Sequence, residues 1–237
     1  MRLLLLALLA ASTADAQVVR LTIPLGPAPE ARERLNGRAL AELGAVVLTG
    51  VGHLVASEAD ASNVYIPLVI AGWGGYVGYR AATEPGALAD LGFTGENLGR
   101  ATRDVALLAG VSALGMAAYG AANGSLRADP ELAPLLLLYP AWGLTQQMLV
   151  QGYVTRHLDA AGLPTLAVAP LTAVTFGSVH VPNWPLTAAT TAMGGAFAPL
   201  YLRDGTLWPL GVAHGALGAL FYVWVLDRDP WAEIFGD

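Results

Sequence analysis

The chain has 237 residues, 55% of them hydrophobic and 13% charged, where average usage is roughly 25% charged. A net charge of −6 argues against a nucleic-acid partner, and the lack of any cysteine excludes disulfides and thiolate-bound metals. Mean hydropathy of +0.53 and several long apolar runs point to an all-α polytopic protein whose main partner is the lipid bilayer.

In chain order, residues 1–16 read MRLLLLALLAASTADA. Arg2 is a minimal basic start, residues 3–11 are apolar, and Ala14-Asp15-Ala16 offers an A-x-A site, the pattern of a secretory signal peptide. The alternative is an uncleaved membrane-entry segment. Residues 17–38 are polar and proline-spaced, with Arg20, Arg32, Arg34 and Arg38, and predict a tail or surface helix. The transmembrane domain is expected over residues 39–227, followed by an acidic tail, 228–237.

Within that domain six to seven spans are expected. Residues 39–57 are apolar enough to span but carry Glu42 and His53. His53 is read as a packed or interfacial histidine, with a functional role as the alternative. Residues 64–79 form a clear segment ending at Arg80, with Gly74 and Gly78 in a GxxxG spacing that lets helix backbones approach closely. A polar connector, 81–103, precedes spans at 104–122, 132–153, 164–180, 186–202 and 207–226.

The arginines fix an orientation. Arg20, Arg32, Arg34, Arg38, Arg80, Arg100, Arg103, Arg156 and Arg203 fall on one side of such a topology, and Arg127 and Arg228 on the other. The arginine-rich side is therefore expected in the cytoplasm, that of a bacterial inner membrane. A cleaved signal peptide would put residue 17 outside. Either residues 1–16 stay attached or 39–57 lies in the interface.

Three apolar runs carry the polar groups that matter. Gln146, Gln147 and Gln151 interrupt the first. The second ends in Phe176-Gly-Ser-Val-His180, and the third carries His214. Amides and imidazoles are costly in hydrocarbon, so they gather where a membrane protein works. The three runs are expected to line one site. The alternative for the glutamines is interhelical glue, each amide bond contributing roughly 0.5–2 kcal/mol. For His180 it is an interfacial histidine at a helix end.

The order of these motifs resembles the CPBP family (CAAX protease and bacteriocin-processing, or Abi), whose members are helical intramembrane endopeptidases. Its Glu-Glu-x-x-x-Arg-Gly motif aligns with Gln146-Gln147-Met-Leu-Val-Gln151-Gly152, and its Phe-x-x-x-His with Phe176–His180. Its final His-x-x-x-Asn/Asp aligns with His214-Gly-Ala-Leu-Gly218. The resemblance implies that the first glutamate activates water, that the histidines stabilise an oxyanion or bind a divalent metal such as zinc, and that the last amide assists. It implies a membrane-associated peptide or protein substrate. This chain departs at each acid: Gln146 and Gln147 replace the glutamates, Gln151 the arginine and Gly218 the last Asn/Asp. A glutamine takes no proton at neutral pH. Gln147 and Gln151, four residues apart, are expected to share a helix face, so that an ion pair is replaced as a unit by two amides. The catalytic positions are therefore Gln146, Gln147, Gln151, His180 and His214, with Phe176 and Gly218 beside them and His180 and His214 the sole metal candidates. The expected outcome is little or no proteolysis. The alternative is a non-catalytic protein that binds a peptide or partner helix in the inherited cavity.

Overall fold

The computed structural model describes residues 36–128 and 132–228. The signal-like segment 1–16, the tail up to residue 35 and the acidic tail from residue 229 lie outside the described residues. All regular structure among the described residues is helical. An N-terminal pair, α1 (Gly37–Glu58) and α2 (Ser62–Thr83), is followed by the short α3 (Ala87–Asp90) and by α4 (Leu98–Asn123). Helix α5 (Leu132–Gln147) passes directly into a π-helical stretch, Met148–Thr155, and then into α6 (Arg156–Ala160). Helices α7 (Thr165–Ser178), α8 (Trp184–Asp204) and α9 (Trp208–Leu220) follow, and Phe221–Val225 extends α9 in π-helical form.

Each expected apolar segment is helical. Three helices, Gly37–Glu58, Leu98–Asn123 and Trp208–Val225, are long and apolar enough to cross a membrane. The 81–103 connector is more ordered than its polarity suggests. Helix α2 runs on to Thr83, α3 interrupts the loop, and α4 starts at Leu98, so Arg100 and Arg103 sit in its first turns. Gly86 and Gly92, at φ of 86° and 93°, supply the left-handed corners that bracket α3. Local chemistry sets the other ends. Asn36 caps α1 by accepting from the Ala39 N–H at 2.9 Å, and Asn183 caps α8 by accepting from Leu186 N–H at 3.2 Å. Gly124 and Gly205 close α4 and α8 in the left-handed region.

Helix α9 is the inner helix, and small residues bring it against α5. A Cβ on Gly143 would lie 2.6 Å from both Gly211 O and Gly215 N, and one on Gly215 would lie 2.4 Å from Pro140 Cα. These are backbone-on-backbone contacts, as the spacing of Gly211 and Gly215 implies. Gly74 and Gly78 behave otherwise. They face outward, with no described atom within 4 Å of a Cβ on either, so this GxxxG pair seats no helix of the described chain. Spacing alone does not tell which face of α2 is covered. Gly215→Ala is expected to destabilise the folded protein by about 1–3 kcal/mol or more, because neither backbone can yield. Gly78→Ala is expected to be neutral, and detergent-solution thermal melts of the two variants check the contrast.

One end of the bundle gathers charge. Arg38 pairs with Glu84 at 2.6 Å, Arg100 with Asp204 at 2.7 Å, Arg203 with Asp104 at 2.7 Å, and Arg156 with Asp90 at 3.9 Å. The Leu207 N–H donates to Gly92 O at 2.8 Å and the Thr206 hydroxyl to Thr94 O at 2.9 Å, tying the α8–α9 turn to the loop after α3. Of the arginines that sequence assigns to one side, Arg38, Arg100, Arg156 and Arg203 take part in these pairs, while Arg20, Arg32 and Arg34 lie outside the described residues. At the other end Arg127 pairs with Asp227.

Candidate functional site

The site is built on the helix that changes type. Gln147 is the last residue of α5 and Gln151 lies in the π-helical stretch. A π-helix bonds i to i+5 and is wider than an α-helix, and such stretches often mark functional positions. The widening separates the two glutamines. Gln147 Nε2 donates to His214 Nδ1 at 3.0 Å, across to α9. Gln151 Oε1 instead accepts from the Thr155 hydroxyl at 2.7 Å, and Thr155 in turn meets Thr172 of α7 at 2.9 Å. No hydrogen bond joins Gln147 to Gln151 among the described residues, so the expected mutual pairing gives way to two separate ones. Both side chains are fully buried, and Gln147 Oε1 and Gln151 Nε2 find no partner among the described residues. One is an acceptor and the other a donor. These are the roles that a Glu and an Arg would fill.

The histidines come together around Phe176. Its ring centroid lies 5.3 Å from that of His180 and 5.3 Å from that of His214, edge-on to both. His180 Nδ1 donates to Phe176 O at 3.0 Å, and Thr190 Oγ1 lies 3.2 Å from the same nitrogen. The Thr190 hydroxyl donates to Leu186 O at 2.8 Å, so it is free to accept from His180. With its proton on Nδ1, His180 keeps a lone pair on Nε2 that meets no described partner.

Gln146, one residue on from the α5 face that holds Thr145, does not join these pairs. It lines a cavity of about 430 Å³ together with His180, His214, Thr190 and Gly218. It also lines an adjoining cavity of about 340 Å³, walled by Val46, Tyr65, Leu149, Phe176 and Val179. Gln146, His180 and His214 face one cavity and Gln147 is bonded to His214, but neither Gln147 nor Gln151 lines that cavity. Gln151 is fully buried and lines neither cavity. Gly218 offers no hydrogen-bonding group, and a Cβ there would already sit 3.2 Å from the Tyr139 ring.

The residues present do not fit a zinc ion. Zinc takes three or four protein ligands, and among the described residues no three His, Asp or Glu side chains are placed to hold one ion.

Two features escaped sequence reasoning. His53, read as a packed or interfacial residue, lines both cavities from α1. At the charged end of the bundle, Glu42, Arg80 and His157 are 5%, 2% and 6% exposed and form one buried network. Glu42 accepts from Tyr76 at 2.5 Å and from Arg80 at 3.3 Å on one oxygen, and lies 2.6 Å from His157 Nε2 on the other. Arg80 continues to Glu84 at 3.0 Å. The signal was present: the apolar segments 39–57 and 64–80 carry one charge each, Glu42 and Arg80, of opposite sign, and such charges pair.

Residues 128–220 match a family model described as Rce1-like, type II CAAX prenyl endopeptidase Rce1-like. Searches of curated proteins and of solved structures found no match.

Proposed function

From the match of residues 128–220 to the Rce1-like family model we propose a membrane protein of the CPBP, or CAAX-protease, family that keeps the family's cavity but cleaves little or nothing in it. It instead holds a segment of a peptide or partner helix there. We place its charged end in the cytoplasm of a bacterial cell, with six or seven spans through the inner membrane. The observation that carries the reading is Gln146. The side chain at the position matching the family's water-activating glutamate faces the cavity and can donate and accept hydrogen bonds, yet it takes no proton. General-base catalysis is worth roughly 10²–10⁴-fold, so its loss alone silences most of the chemistry. The remaining residues keep the cavity's shape: Gln147 orients His214, Thr190 and Phe176 O orient His180, and Thr155 holds Gln151.

One observation favours a second reading, hydrolysis with His180 as base, because its Nε2 lone pair is uncommitted. The two readings part in one assay. Purified wild-type protein is incubated with a library of membrane peptides, and products are read by mass spectrometry. The first reading expects no products above those of a His180→Ala, His214→Ala control. Robust cleavage that disappears in that control overturns it in favour of histidine-based chemistry.

A further inference from the structure

The two cavities adjoin as two lobes. They share His53, Ile66, Trp142, Gln146 and His180, which form a waist between them. His53, Gln146 and His180 among these five keep hydrogen-bonding capacity to spare. Neither the His53 ring nor the Gln146 amide bonds any described residue, and His180 has only Nδ1 engaged. His53 comes from α1, outside residues 128–220.

Among the described residues, no Asp, Glu, Lys or Arg lines either lobe. A charged ligand group would enter apolar surroundings without a counter-charge, at a cost of several kcal/mol. His180 sharpens the point. Its Nδ1–H is directed at Phe176 O, so Nε2 presents a lone pair, which repels a carboxylate and accepts from an N–H.

Resting on the binding reading above, we propose that the site recognises an uncharged stretch of polypeptide main chain lying through the waist, and that His53 is a binding residue of that site. The match is one of donors and acceptors. A main-chain N–H of the ligand donates to His180 Nε2. The neighbouring C=O accepts from Gln146 Nε2 and from the N–H of the His53 ring. Apolar side chains on either side fill the lobes, walled by residues such as Val46, Leu149, Met193 and Leu217. A chain terminus, with its full charge, is excluded.

Trp142 lies in the waist and reports on the occupant. The test uses full-length protein in neutral detergent and a six-residue Ala/Leu peptide in two forms, one acetylated and amidated, the other acetylated with a free carboxylate. Tryptophan fluorescence is titrated, with Trp142→Phe to assign the signal. The capped form is expected to bind at least tenfold tighter. His53→Ala is expected to weaken its binding about two- to tenfold, the range for one neutral hydrogen bond, while His53→Gln restores it. Circular dichroism confirms that each variant is folded. Equal or tighter binding of the carboxylate form overturns the neutral-ligand inference while leaving the binding reading intact. Unchanged binding in His53→Ala removes His53 from the site. If folded wild-type protein binds neither peptide, the binding reading itself fails.

Discussion

Changing Gln146→Glu, Gln147→Glu and Gln151→Arg in one chain is expected to raise peptide cleavage by about 10²–10⁴-fold over wild type, the contribution of a positioned general base. Each substitution has its own task. The first places a proton acceptor where the Gln146 amide now lines the cavity beside His180 and His214. The other two changes act on Gln147 Oε1 and Gln151 Nε2, the buried acceptor and donor without described partners. The carboxylate and guanidinium carry opposite charges, and installing them together avoids burying one charge alone. The single change Gln146→Glu is expected to gain less, since a lone carboxylate in this apolar cavity has no positive charge to keep it ionised. Gly218→Asn is left out, because Tyr139 already stands 3.2 Å from where a Cβ would go. Products are counted by mass spectrometry, and the capped Ala/Leu peptide confirms that the cavity has survived. A triple variant that still binds the peptide yet cleaves nothing would show that more than the base has been lost.

The sequence made the helices legible because hydropathy and length decide them. The three polar runs were legible because amides and imidazoles stand out against leucine and alanine. Gln146, His180 and His214 accordingly meet at one cavity, and Gly211 and Gly215 meet Gly143. Direction around a helix was harder to read. The four-residue spacing of Gln147 and Gln151 predicts a shared face only for an α-helix, and the chain is π-helical over Met148–Thr155. Gly74 and Gly78 have the spacing of a packing face but point away from the described chain. Long-range pairings were least accessible. His157 joins Glu42 across 115 residues of sequence, and no local pattern in either helix names the other.

That network gives the largest expected effect on stability. Removing Glu42 leaves the 2%-exposed Arg80 with only Glu84, and leaves His157 with no acceptor on that nitrogen. Breaking a buried ion pair by deleting one partner costs about 3–5 kcal/mol, because the surviving charge stays buried. Glu42→Ala is therefore expected to destabilise the folded protein by that amount, measured by denaturant unfolding in detergent. Arg80→Met is expected to cost a similar amount, since it strands the carboxylate instead. The double variant Glu42→Ala, Arg80→Met removes both charges, so it is expected to be much less destabilised than the sum of the single changes. Strong non-additivity is the signature of one shared network. The effect on the site follows from position. Glu42 and His53 both lie on α1, and His157 lies on the helix that continues from Gln146. The network thus clamps α1 against the helix that carries the glutamines. Loosening it is expected to weaken peptide binding in Glu42→Ala even at temperatures where the protein remains folded. A Glu42→Ala variant within about 1 kcal/mol of wild type, or additive single and double changes, would mean that the charges are solvated rather than sealed between the helices.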